Sequence, residues 1–496
     1  MKEEILIIGG GLGGLMTGAL LAKEGFVVTV LEKNGTVGGG LQTFHRHGIA
    51  FETGMHILGG FRPGGSLRRI CTYLGVMDSL QLRPVDADCM DQITYASDGA
   101  TYRIAAGREG FVESLAAYFP TEKENLRRYV DRMYALTQEL DLFYLRSSEE
   151  SFHPYSDEFT MPADRFIARY IAHPKLRDIL AYMNPMYGGV AGHTPAYVHA
   201  LINVLYINGT DRFVGGSQQL ATALCRVIES EGGQVIPLAQ AERIETTDRM
   251  VSCVHTKDGR KFSARYYISA VHPDEMLRIA DTSAFPKAYA NRLRSIPSTY
   301  STFSLFVELH PKAFPYINHT CYYQQDYDKI WNLAHYDEQT FPYGFMYMTP
   351  PTPQQTPWAS HLIVNCLMPF EAVSPWEDSY IGRRDDSYRA WKKRQEERII
   401  DRMEELHPHF RQAVKQVWSG SPLTIRDYYH TTRGAIYGYS KDCNNLLLSQ
   451  VPVVTKVRNL FLTGQCVGLH GICGVPLSAI TTAEAIVGRN VIIRKL

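Results

Sequence analysis

The run Ile5-Leu6-Ile7-Ile8-Gly9-Gly10-Gly11-Leu12-Gly13-Gly14-Leu15 constrains this chain most, because it demands a strand, a tight turn and a helix in succession. Four consecutive apolar residues read as a parallel strand buried on both faces. Gly9, Gly11 and Gly14 keep the G-x-G-x-x-G spacing of a strand-to-helix turn that carries a pyrophosphate. Gly9 permits the turn, Gly11 admits a pyrophosphate against the backbone, and Gly14 lets helix and strand pack closely. Leu15, Met16, Ala19, Leu20 and Ala22 recur at helical spacing, so free N–H groups and the positive end of the helix dipole face that anion. The next apolar stretch, Val27-Val28-Thr29-Val30-Leu31, ends at Glu32-Lys33. A carboxylate there accepts hydrogen bonds from ribose hydroxyls and repels a 2′-phosphate, which favours FAD or NAD over NADP.

At 496 residues the chain exceeds one typical core, so two consecutive or interleaved domains are expected. Its 51 basic and 51 acidic side chains balance, and with 45% apolar content no field draws it to nucleic acid. Any peripheral contact with a membrane must therefore be local and apolar. The strand begins almost at once after Met1, which leaves no room for a cleavable leader and points to the cytoplasm. No run of about 18 uncharged apolar residues suggests a spanning helix. Nine scattered cysteines contain no C-x-x-C pair, so neither a disulfide framework nor a metal site is indicated.

Downstream, Gly35-Thr36-Val37-Gly38-Gly39-Gly40-Leu41-Gln42-Thr43-Phe44 forms a second glycine-rich loop, followed by Phe51-Glu52-Thr53-Gly54-Met55-His56. Residues 107–147 have helical patterning, Phe111, Leu115, Tyr118 and Phe119 first and then Leu126, Tyr129, Val130, Met133 and Leu136, with Pro120 between. At 211–217 a second α/β signature leads into a helix carrying Leu220, Leu224, Val227 and Ile228. Strands are predicted over 241–244, 250–257 and 262–270, with Asp258-Gly259 as a hairpin turn. Between 286 and 420 aromatics alternate with polar residues, the texture of a wide antiparallel sheet that lines an apolar tunnel. A last buried strand ends at Gly464, and Pro476 opens a terminal helix. The fold expected is α/β: a Rossmann-type FAD-binding domain assembled from 1–70, 211–285 and 421–496, with a mixed α+β substrate domain of helical cap and antiparallel sheet from 71–210 and 286–420.

An NAD site usually occupies one self-contained unit, whereas motifs here recur more than 200 and 400 residues on. That favours FAD. The stretches 9–32, 37–43, 51–60, 211–235 and 460–483 together resemble the flavin-dependent phytoene desaturase, carotenoid isomerase and retinol saturase superfamily, and the loops 37–44 and 51–60 look most like its retinol saturase branch. Many desaturases and amine oxidases of similar sequence carry arginine where this chain has Gly40. The resemblance implies cofactor contacts from Gly9, Gly11, Leu12, Gly13, Gly14, Glu32 and Lys33 at the pyrophosphate and adenosine ribose, and from Ala241 at adenine. It places Gly39, Gly40 and Leu41 along the flavin beside Gly54, Met55 and His56, Gly464 and Gln465 on the ribityl or phosphate portion, and Gly474 and Val475 beside the isoalloxazine.

In such enzymes the flavin carries the electrons while the protein orients substrate and excludes water, so few catalytic side chains are needed. His56 and Tyr437 are the candidates, as substrate-orienting or proton-moving groups. His470 and Cys473 fall near the flavin in the same alignment and raise covalent attachment. The expected activity is FAD-dependent reduction, desaturation or isomerisation of carbon–carbon double bonds in an apolar isoprenoid or polyene, with reduction foremost and the electron donor or acceptor unassigned. Alternatives are a flavin amine oxidase and a flavin-free prenyl-binding protein of the GDP-dissociation-inhibitor type.

Overall fold

The strand Glu4–Ile8 is the centre of a five-stranded sheet in the order Leu460–Leu462, Tyr266–Ser269, Glu4–Ile8, Val27–Leu31, Gln234–Ile236, in a computed structural model that describes residues 2–148, 155–281 and 283–496. Every pairing in it is parallel. Burial on both faces explains the unbroken apolar run, since Ile5 to Ile8 are at most 4% exposed. The helix Leu12–Lys23 is buried from Gly13 to Ala22, and it packs between the helices Gly471–Val487 and Gln218–Ser230. Its Thr17 hydroxyl meets that of Thr463, 446 positions away in the chain, at 2.8 Å. The start, middle and end of the sequence therefore build one sheet.

The expected strand 262–270 is two strands in two sheets. Lys261–Phe262 completes an antiparallel hairpin sheet with Ala241–Thr247 and Met250–Thr256, and Tyr266–Ser269 joins the parallel sheet. The terminal helix also starts earlier than expected, at Gly471 with Pro476 inside it. Lacking an N–H, Pro476 leaves the Ile472 carbonyl without its intrahelical donor. The segment Asp211–Phe213 pairs antiparallel with Leu82–Pro84 instead of entering the parallel sheet.

A seven-stranded sheet runs Val414–Gly420, Ser301–Leu309, His361–Met368, Gly344–Met348, Thr320–Gln324, Asp91–Tyr95, Thr101–Ile104. It is antiparallel except where Thr320–Gln324 runs parallel to Asp91–Tyr95, so it draws strands from outside 286–420. Its aromatics are core and do not line a tunnel. Phe303, Tyr323, Phe345 and Tyr347 pack with Trp391, Ile399 and Met403 of the helix Asp386–Leu406. Successive strand residues face opposite sides, so Thr302 and Ser304 turn to the cavity described below.

The helices Arg108–Ala116, Lys123–Gln138, Ala163–Tyr170 and Ala196–Ile207 form the cap, and Pro120 opens the short turn between the first two. Phe111, Leu115, Leu126, Tyr129, Val130, Met133 and Leu136 are buried as their spacing predicts, while Tyr118, just past the first helix, is 42% exposed. Inside the cap the fully buried His199 lies 2.5 Å from the Tyr129 hydroxyl and 3.0 Å from that of Tyr187.

Candidate functional site

The carboxyl ends of the parallel strands open on a cavity of about 390 Å³, a size usual for small-molecule sites and the position where open α/β sheets bind ligands. One end of it is largely backbone. Gly9, Gly11, Leu12 and Gly13 line it from the first turn, Glu32 and Lys33 from the end of the second strand, and Gly39, Gly40 and Leu41 from the second glycine loop. Ala241 reaches it from the hairpin sheet, and Gly464 and Gln465 from beyond the last parallel strand. The other end lies under the cap, walled by Gly54, Met55, His56, Ile202, Leu205, Tyr437, His470, Cys473 and Val475.

Two of the sequence candidates lie off this wall. A Cβ on Gly14 would stand 2.0 Å from the Gly9 carbonyl oxygen, so that glycine keeps the helix close to the strand. A Cβ on Gly474 would stand 2.7 Å from Leu469 Cβ, and Gly474 borders a smaller adjoining cavity.

The wall fits a dinucleotide. Gly11 has φ −77°, which any residue adopts, and the nearest atom to a Cβ there is 3.9 Å away; at Gly40 nothing lies within 4 Å. Neither glycine is required by the protein's own packing, so both leave room for a group in the cavity. The first N–H groups of an α-helix have no partner within the helix, and two helices, Leu12–Lys23 and Gly471–Val487, begin at this wall. Glu32 is 6% exposed; its Oε2 accepts from the Gly10 N–H at 2.9 Å and its Oε1 from the Asn34 N–H at 2.8 Å. These bonds fix the carboxylate and leave further acceptor capacity for ribose hydroxyls. Burial lowers the Lys33 ammonium to about 8 against the pull of Glu32, and its Nζ donates to the Asp427 carbonyl at 3.0 Å.

Under the cap, His56 Nδ1 approaches Glu52 Oε1 to 3.4 Å, with side chains 13% and 5% exposed. Neither atom has an aligned hydrogen bond, an arrangement loose enough to tighten around a substrate. Glu52 lies within a stretch that the sequence singled out, but no spacing rule marks it as a partner for His56. Burial drives the Tyr437 hydroxyl well above the usual phenol range, so it holds its proton. Its ring lies 4.9 Å from that of His470, which burial and the nearby Lys441 lower to about 3. Burial raises the Cys473 thiol to about 12, and the thiol donates to the Gly59 carbonyl at 3.2 Å. That is the opposite of the activated thiolate that covalent flavin attachment requires.

The polar groups Thr302, Ser304 and Asn365 of the large sheet also face the cavity. They alternate with core residues, and the sequence alone does not say which face is which. Away from it, Glu245, Cys253 and His255 bring three potential ligand atoms within 4.8 Å of one another by cross-strand pairing, which cysteine spacing could not reveal.

This architecture is that of a dinucleotide-binding flavoprotein. The family model for flavin containing amine oxidoreductases matches residues 12–487, and the chain belongs to that family. It is an oxidoreductase with FAD as its cofactor. All-trans-retinol 13,14-reductase of Rattus norvegicus is 25% identical over 99% of this chain and 86% of its own length. Prolycopene isomerase 1 of an Oncidium hybrid cultivar is 25% identical over 98% of this chain and 84% of its own. Putrescine oxidase bound to putrescine shares the fold with TM-score 0.67 at 16% identity, over 99% of this chain and all of its own.

Proposed function

We propose that this enzyme reduces a carbon–carbon double bond of an apolar polyene or isoprenoid, with desaturation and isomerisation as the neighbouring possibilities. The observation that carries the proposal is the apolar end of the cavity under the cap, where Met55, Ile202, Leu205, Met346, Leu367, Ile436 and Ile472 surround few polar groups. The names of the retinol reductase and prolycopene isomerase relatives support it, as does the family's flavin, which speaks against a flavin-free prenyl carrier.

FAD would be held by Gly9, Gly11, Leu12 and Gly13 at the pyrophosphate, Glu32 and Lys33 at the adenosine ribose, Ala241 at adenine, and Gly39 to Leu41, Gly464, Gln465 and Val475 along the remainder. When bound, it supplies or accepts the hydride. The cap side chains keep water from the apolar chain. Glu52 orients His56, whose Nδ1 faces it, leaving the other ring nitrogen to position substrate or move a proton. The Tyr437 hydroxyl, protonated throughout the physiological range, donates a proton or a hydrogen bond. The nucleotide half of the chain is then 1–70, 211–285 and 421–496, and the substrate half 71–210 and 286–420, of which 149–154 lie outside the described residues.

An apolar substrate is collected by peripheral contact with a membrane from the cytoplasmic side. Among the described residues no helix is long and apolar enough to cross one, and Leu447, at 81%, is the most exposed of the large apolar side chains. The deciding experiment reduces the bound flavin anaerobically and offers retinoids, carotenoids and quinones. Reoxidation by a polyene with a saturated product is expected. Failure with every polyene, together with reduction of the oxidised enzyme by primary amines, would overturn the proposal in favour of amine oxidation.

A further inference from the structure

Beside the main cavity lies a smaller one, and the two share Ile202, Leu205, His470 and Cys473 as a common wall. Its other walls are almost entirely apolar, with Phe143, Tyr197, Val198, Leu201 and Leu477 among them. Among the described residues the one lysine or arginine that lines it is Lys441. Among the described residues Lys441 pairs with no carboxylate; its Nζ has only a long 3.4 Å contact to the Ser449 carbonyl. Nearby Cys466 is a buried thiol raised to about 12, so it supplies no negative charge. Beside the lysine, His470 is 8% exposed and its Nε2 has no hydrogen-bond partner. Burial lowers the Lys441 ammonium only to about 8, so it is mostly charged at neutral pH.

A half-buried ammonium that lines an apolar cavity and pairs with no carboxylate among the described residues is under-compensated, and an anion that enters the same space supplies its partner. We propose that the smaller cavity receives the polar end of the substrate, and that this end is a carboxylate paired with Lys441 Nζ. The inference rests on the reading of the main cavity as a polyene site and adds the missing half of the molecule. The apolar chain passes Ile202, Leu205 and Cys473 into the main cavity, while its head stays at Lys441 and His470. A single ammonium beside a neutral imidazole matches a single negative charge. A phosphate carries up to about two charges at neutral pH and would want a second cation. Among the described residues no second lysine or arginine lines this wall.

The test is ligand binding to the oxidised holoenzyme, read from perturbation of the flavin absorption spectrum, so that turnover is not required. The probes are two matched pairs, all-trans-retinoic acid with all-trans-retinol and oleic acid with oleyl alcohol. Wild type is expected to bind the acid of at least one pair ten or more times more tightly than the alcohol. Lys441→Met should lose that preference while it keeps its flavin and binds the alcohol within twofold of wild type, and Lys441→Arg should recover part of it. Retained alcohol binding and flavin content show that Lys441→Met is folded. Equal affinity for acid and alcohol in wild type, or an acid preference unchanged in Lys441→Met, would overturn the carboxylate assignment and leave the polyene site standing. If neither member of either pair perturbs the flavin, the apolar-chain reading and the head-group proposal fall together.

Discussion

Gly11 and Gly14 belong to one motif, yet their surroundings predict opposite outcomes for the same substitution. At Gly14 an added Cβ would lie 2.0 Å from the Gly9 carbonyl oxygen and 3.2 Å from Ala270 Cβ, contacts that only a backbone shift can relieve. Overpacking of this kind costs about 1–3 kcal/mol and more when backbone is the obstacle, so Gly14→Ala should destabilise the apoprotein by about 3 kcal/mol. At Gly11 the nearest atom is 3.9 Å from the added Cβ and φ is −77°. There the small loss at a helix N-cap is offset by reduced freedom of the unfolded chain, and apoprotein stability should change by less than about 1 kcal/mol. The new methyl group would instead occupy the cavity. If a pyrophosphate rests against Gly11, a clash of about 1–3 kcal/mol weakens FAD binding roughly 5- to 150-fold. Chemical denaturation of both apoproteins, with fluorescence titration by FAD, separates the two effects. Wild-type flavin affinity in Gly11→Ala would refute the placement of the pyrophosphate. A stability loss equal to that of Gly14→Ala would show that Gly11 serves the fold.

Glu32→Gln keeps the shape but turns an amide N–H₂ toward one of two backbone donors, so it should cost about 1–2 kcal/mol in thermal unfolding and roughly tenfold in FAD affinity; an unchanged titration would remove Glu32 from the site. His56→Ala should retain flavin and slow polyene turnover by about 10²-fold, and Glu52→Gln should act in the same direction through His56 and alter the pH profile; unchanged turnover in His56→Ala would assign that histidine to structure. Tyr437→Phe should retain flavin and lower the rate of substrate-dependent flavin reoxidation by about tenfold or more, and full activity would leave Tyr437 as a wall residue. His199, lowered by burial to about 3, stays neutral when folded and takes up a proton when unfolded below pH 6.5, so the unfolded state binds more protons and stability falls as pH drops from 6.5 toward 4. Wild type should therefore lose about 1.4 kcal/mol more per pH unit in that window than His199→Leu, and parallel curves would refute it.

The first turn was legible because its signals are local: an apolar run, fixed glycine spacing and a carboxylate after the second strand. Sequence alone could bring Glu32 and Gly11 to one cavity wall for that reason. The large sheet was legible only in texture. Asp91–Tyr95 joins it parallel to Thr320–Gln324, a pairing that no local pattern announces. Alternation at Thr302, Phe303 and Ser304 gives two faces, and the helix Asp386–Leu406 decides between them by covering the aromatic one. Lys441 escaped notice because an isolated lysine in a loop means nothing until its neighbours are known to be apolar.

The hydroxyl pair Thr17 and Thr463 also says something about synthesis. The opening turn leaves the ribosome hundreds of residues before the strand and helix that complete its cavity. The nascent chain must hold an apolar helix, buried on every side in the finished protein, until its partner Gly471–Val487 has been made. A ligand that needs both the first turn and Gly464 to hold it could be captured only after that late segment is made.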